Sequence, residues 1–218
     1  MKFNLIIFLF VLGLISFSAN AQKILTEGTL VYNMSVETGS GEPKIADMFD
    51  GATTTIYLKG NKSRTELVSS LGREATIYDA SEGTGVILKD YSGQKLMITL
   101  TASNWAQNNS KYDEIVFENT GESQKIAGFN CKKAIAKLKN GDSFTVYYTT
   151  EVNPGNKSYD AQFKTLSGLP VQYEMESGKM KLKFTLSSIS YNPVSASKFE
   201  IPTSGYRVLT YDETKQKS

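Results

Sequence analysis

The sequence predicts a mainly β protein, built as a strongly curved antiparallel sheet with a few short helices. Nearly every strand-like segment alternates apolar and polar residues, which leaves one face dry and one face wet and disfavours a parallel sheet buried on both sides. Turn signals such as Gly60-Asn61 and the polar stretch from Asp79 to Gly85 separate the segments. Only three interruptions show any helical spacing.

Taken in order, Leu30, Tyr32, Met34 and Val36 share one face of the first segment, opposite Thr29, Asn33 and Ser35. Ile56 and Leu58 lie in a Thr-rich second segment ending at Gly60-Asn61. Strands follow at 63–68, 74–78, 85–88 and 95–100, and after a break at 129–138, 143–149, 171–175 and 180–186. The last alternates most cleanly, with Met180, Leu182, Phe184 and Leu186 against Lys181, Lys183 and Thr185. Phe144, Val146 and Tyr148 repeat the pattern.

The interruptions are Pro43 to Phe49, with Ile45, Met48 and Phe49 at helical spacing; Thr101 to Lys111, a short helix or polar loop holding Trp105; and Tyr159, Phe163 and Leu166 at i, i+4 and i+7. Short helices with an apolar stripe must bury it, and the dry face of the sheet is the available place. Before the strand at 171, Gly168-Leu169-Pro170 reads as a shaped strand entry, with Gly permitting a positive φ and Pro tolerated where its missing N–H is not needed.

Residues 1–21 read as a cleavable signal peptide, with a basic Lys2, an apolar stretch from Leu5 to Ile15 and a small-residue Ala19-Asn20-Ala21 site. The stretch is short for a bilayer span, and no Cys stands at the cleavage site to carry a lipid. The expected mature chain is one domain over 22–211 with a frayed tail at 212–218, exported to the periplasm or cell envelope and soluble. The leader carries one Lys and no acid, so removing it lowers the net charge from +2 to +1. Such a balanced surface has no electrostatic footprint for nucleic acid.

Histidine is absent, which excludes Ser-His-Asp and Cys-His catalysis and His-ligated zinc. Cys131 is the single cysteine, so no internal disulfide forms, and its strand position suits a small core hydrophobe. The acidic pairs Asp47/Asp50 and Asp79/Glu82 lack calcium-loop spacing, and no G-x-S-x-G or S-x-x-K motif appears. No catalytic residue, metal site or cofactor is assigned, and the protein is read as not an enzyme. Arg64 is one of three arginines. It either holds a carbonyl or anionic headgroup at the mouth of an apolar cavity or is an outward charge.

Several phrases together resemble exported bacterial proteins with a lipoprotein-carrier, LolA/LolB-like fold. They are residues 59–66 (KGNKSRTE), 126–134 (IAGFNCKKA), 146–151 (VYYTTE), 168–174 (GLPVQYE) and 199–202 (FEIP), spread over most of 24–211. The Gly-Leu-Pro element is similar to the hallmark of GLPGLI-type relatives, although Val171-Gln172 departs from that motif's second half. The resemblance implies an open half-barrel whose concave apolar face is covered by short lid helices and, in the carriers, holds acyl chains. The expected function is therefore an envelope protein binding an acyl chain, lipoprotein or hydrophobic peptide, with transient membrane or envelope-protein contact. The alternative is a structural or interaction module with a filled core. The expected cavity is lined by Tyr32, Met34, Met48, Phe49, Phe144, Val146, Tyr148, Phe163, Leu182 and Phe184, with Arg64 at its mouth. Oligomeric state is not legible.

Overall fold

The computed structural model describes residues 22–38, 48–177 and 180–215. Fourteen strands are present among them: β1 (Lys23–Leu25), β2 (Glu27–Thr38), β3 (Thr53–Lys59), β4 (Lys62–Ser69), β5 (Gly72–Asp79), β6 (Thr84–Tyr91), β7 (Gln94–Leu100), β8 (Val116–Ile126), β9 (Phe129–Lys137), β10 (Ser143–Thr149), β11 (Val152–Pro154), β12 (Leu169–Ser177), β13 (Met180–Ser190) and β14 (Arg207–Thr210). Helix α1 spans Ala102–Asn109 and α2 spans Tyr211–Lys215, with 3-10 turns at Ser110–Tyr112, Ala161–Phe163 and Ala196–Phe199.

Twelve strands form one open sheet in the order β14-β7-β6-β5-β4-β3-β2-β13-β12-β10-β9-β8. The end strands do not pair, so the sheet is not a closed barrel. Every ladder in it is antiparallel except β14 against β7. The parallel pair β1–β11 stands apart. Register breaks at Leu186/Ser188, Tyr147/Tyr148 and Asn119/Ser123 interrupt the ladders, and such bulges bend a sheet. The curved, mainly antiparallel β architecture read from the alternation is the observed one.

The alternation also places two cores on opposite faces. Along β3, Thr54, Ile56 and Leu58 are buried while their neighbours are half-buried. Ile56 and Leu58 join the main core with Leu30, Tyr32, Val146, Tyr148, Phe163, Val171, Tyr173 and Leu186. Tyr57, between them, packs on a second core of Ala75, Ile77, Val86, Leu88, Val194 and Phe199. The Gly60-Asn61 turn forms as expected: Lys59 faces Lys62 across it, and Gly60 takes φ +57°, which favours glycine.

Several expectations are corrected. Gly168 does not take a positive φ. Glycine is needed there because a Cβ would sit 2.1 Å from the Thr149 carbonyl oxygen, so the constraint is close approach of β10 to the β12 entry. The stripe through Tyr159, Phe163 and Leu166 winds only a single 3-10 turn; of the expected frayed tail, 212–215 lie in α2 and 216–218 lie outside the described residues. Edge strand β8 escaped the sequence reading because it is polar on both faces and exposed along nearly all its length. Met48 and Phe49 are helical, while the rest of the expected 43–49 helix lies outside the described residues, as does the signal peptide.

Candidate functional site

The predicted cavity residues divide into a packed cluster and a periphery. Tyr32, Val146, Tyr148 and Phe163 are buried in the main core, and Phe144 and Phe184 pack against it. At the centre stands Tyr173, which alternation placed on a strand but not among the candidates. Its ring lies 6.0 Å from Tyr32, 4.8 Å from Phe163 and 4.8 Å from Phe184, stacked on the last and edge-on to the others. Phe163 also meets Phe117 and Phe144. The Tyr32 hydroxyl donates to the Pro170 carbonyl at 2.8 Å, which satisfies the one polar atom this ring brings into the core. Burial holds the Tyr32 and Tyr173 phenols well above their ordinary range, so both stay neutral.

Met34 is buried and Leu182 half-buried, but neither joins that cluster. Met48 is 40% exposed, its carbonyl accepting from the Ser70 hydroxyl, and Phe49 is half-buried near the end of β2. Arg64 lies away from this core. Cross-strand register puts it beside Tyr57 and Ile77, on the face of the second core. It does hold a carbonyl, but that of Lys198 (3.2 Å), while its Nε donates to Glu66 at 2.5 Å.

Open space on the main-core face lies beside the aromatic cluster, under the segment that joins β7 to β8. Thr101 caps α1: its hydroxyl accepts from the Asn104 N–H, and the Asn104 side chain accepts from the Thr101 N–H. This reciprocal cap turns the chain back over the sheet directly after β7. Trp105 then stacks on Tyr78 of β5, with centroids 3.9 Å apart and planes 14° apart. Register aligns Tyr78 with Ser63 and Leu58, which fixes it on the main-core face. No residue of α1 or of the following 3-10 turn is buried. The cover is therefore held by its cap, the Trp105–Tyr78 stack and a hydrogen bond from the Tyr211 hydroxyl to Asn108, with no buried residue of its own.

Beneath it lies a cavity of about 390 Å³, walled by Tyr78, Trp105, Ala106, Ile115 and Ala161 and rimmed by Asp113, Glu114, Ser158 and Lys164. Tyr112 lines this cavity and a second one of about 210 Å³, where Leu138, Phe144 and Met175 meet Lys111, Asn140, Asp142, Gln162 and Glu176. Gln162 is only 4% exposed, and its Nε2 has no hydrogen-bond partner among the described residues. The far wall is the 158–166 segment. Asp160 caps its turn by accepting from the Gln162 N–H at 3.1 Å, and Lys157 donates to the Leu166 carbonyl at 2.5 Å. Burial pushes the Asp160 carboxyl up to about 6 against the pull of that N–H, and burial lowers the Lys157 ammonium.

Sequence reasoning missed Trp105, Tyr112 and Ile115 as a group. The Thr101-to-Asn104 spacing was the available signal, since it is a capping-box spacing with Asn in place of Glu or Gln. Among the described residues, no group of three or more His, Cys, Asp or Glu is placed to hold a metal ion.

An open, mainly β sheet with a covered groove on one face has the form of a binding or structural module. The chain belongs to the family described as a domain of unknown function, DUF4412, whose model matches residues 44–154. No curated protein matches it. Similar solved structures include PNGF-II (15% identity, 87% of this chain and 32% of that one, TM-score 0.46). An uncharacterized conserved protein from Thermus thermophilus is also similar (10% identity, 88% and 92% of the two chains, TM-score 0.48). So is the lipoprotein LppX of Mycobacterium tuberculosis (8% identity, 78% and 89%, TM-score 0.40). The chain spans about a third of the length of PNGF-II.

Proposed function

We propose that the protein is an exported, non-catalytic binding module of the cell envelope that takes an apolar ligand, an acyl chain or the acyl group of a lipoprotein, in the groove under residues 102–115. The single observation that carries this reading is the pair of adjoining cavities sharing Tyr112, beneath a helical cover with no buried residue. The larger volume of about 390 Å³ falls in the range of about 300–1,000 Å³ typical of small-ligand sites. Tyr112 lines both volumes, so a ligand long enough to occupy the two is a chain and not a compact solute. Each methylene buried there contributes about 0.8 kcal/mol, so micromolar affinity, about 8 kcal/mol, takes about ten or more buried methylenes and favours long chains. The lipoprotein-carrier resemblance and the leader-like residues 1–21 support the ligand class and the export.

The second reading, a structural or interaction module, is favoured by the filled aromatic core around Tyr173. The two separate in a thermal-unfolding titration with fatty acids of increasing length. A ligand that prefers the native state raises the midpoint. A rise that grows with chain length supports the binding module, and a flat midpoint for every acyl ligand supports the structural one.

A further inference from the structure

Arg64, Arg73 and Arg207 are the only arginines in the sequence. Two of them meet in one place, on the face of β4–β7 opposite the Trp105 groove. Strand register aligns Arg73 of β5 with Asp90 of β6 and Lys95 of β7. Arg64 of β4 and Tyr206, from the segment before β14, close a cavity of about 200 Å³ with them. Its apolar floor is Ala75 and Leu88, both buried.

Three cations and one carboxylate line this space, and the charges differ in how they are engaged. Arg64 is held from two sides, by Glu66 through Nε and by the Lys198 carbonyl through one terminal nitrogen, and its side chain is only 15% exposed. Its orientation is thus fixed before any ligand arrives. Asp90 and Lys95 form a longer pair at 3.6 Å, and the Lys95 ammonium lies 5.9 Å from the Tyr206 ring. The Arg73 guanidinium makes no hydrogen bond or ion pair among the described residues. A planar guanidinium presents paired donors that match the geometry of a carboxylate or phosphate, which a lysine does not.

We infer that this cavity is an anion site for a small organic acid, a carboxylate or phosphate ester. Its oxyanion is gripped by Arg73 with Lys95, and its apolar body lies on Leu88 and against the Tyr206 ring. Glu66 offsets Arg64 and Asp90 offsets Lys95, so the three cations and two carboxylates leave one net positive charge at the cavity, carried by the unpaired Arg73, and that sets the sign of the ligand. The site is independent of the acyl groove, since the two lie on opposite faces of the sheet.

Isothermal titration of the mature protein at low ionic strength with phenyl phosphate, benzoate, benzyl alcohol and inorganic phosphate tests it. Phenyl phosphate and benzoate should bind saturably, benzyl alcohol should not, and inorganic phosphate should bind more weakly than its phenyl ester. Arg73→Gln should weaken phenyl phosphate about tenfold, which corresponds to about 1.4 kcal/mol. Lys132→Gln, an exposed cation on distant β9, should change nothing. Arg73 is itself exposed, so its variant is expected to fold, and an unchanged unfolding midpoint checks that it does. Absence of saturable binding by either organic anion, or equal binding in Arg73→Gln, overturns the site. Equal affinity for inorganic phosphate and the phenyl ester overturns its assignment to an organic acid.

Discussion

Truncating Phe163 distinguishes a packed core from a ligand-lined cavity at the heart of the main-core face. Phe163 is 4% exposed and its ring meets Phe117 at 6.4 Å, Phe144 at 6.2 Å and Tyr173 at 4.8 Å. Phe163→Ala removes a fully buried ring and leaves a void bordered by those aromatic neighbours. Large-to-small changes of this kind cost about 3–5 kcal/mol, and each lost aromatic pair adds about 0.5–1.5 kcal/mol of specific contact. The three ring contacts place this variant in the upper half of that range, about 4 kcal/mol. Against a total stability of about 5–15 kcal/mol, that is a large fraction. In urea, with a slope of about 2 kcal/mol per molar, the midpoint should fall by about 2 M with the slope unchanged. A loss below about 1 kcal/mol would refute the reasoning, because it would mean that Phe163 borders open space that a ligand normally fills.

Further outcomes follow from the same geometry. Gly168→Ala should destabilise by about 3 kcal/mol in chemical denaturation, since both nearest atoms to the new Cβ are Thr149 backbone and neither can rotate away. Asp160 has its carboxyl raised from 3.8 to about 6, so the folded state binds the extra proton and stability falls as pH rises from about 4 to about 6. Asp160→Asn keeps a capping side chain, and should abolish that slope and gain up to about 3 kcal/mol at neutral pH, read from denaturation midpoints across pH. Cys131 is fully buried and its thiol is pushed up to about 11 by burial, so a thiol reagent should label it only at the rate of unfolding. Rapid labelling of the native protein would contradict its structural role.

The fold was legible where one period governed a segment. Each of the ten strands read from alternation is present, because a two-residue repeat on a half-buried sheet is a direct image of which side chains leave water. β8 left no such image: its sequence is polar on both faces, and it is held by its ladder to β9. Gly168 shows a different limit. A glycine kept for close approach and one kept for a positive φ look alike in sequence, and only the position of the Thr149 carbonyl separates them.

The candidate site was less legible than the fold. An apolar stripe states that a residue is buried but not whether its neighbour is another side chain or an empty volume. Tyr32 and Phe184 entered the site reading from strand alternation and Phe163 from a helical stripe, and all three are packed around Tyr173. Arg64 was singled out for its rarity, and its partners Glu66 and Lys198 lie two residues away and across the second core. The groove itself depends on α1 folding back over Tyr78, a contact between distant segments that no local pattern encodes.

Trp105 makes the central claim directly measurable, because it is the only tryptophan in the sequence and it walls the larger cavity. The decisive measurement is its emission during titration of the protein with dodecanoate, with the Tyr78→Ala variant run in parallel. A ligand in the groove should change the Trp105 spectrum saturably at one equivalent, and loss of the Tyr78 stack should shift both the starting spectrum and the affinity. An emission spectrum that stays fixed through the titration, in a protein whose unfolding midpoint is also unmoved, would contradict a binding groove under residues 102–115.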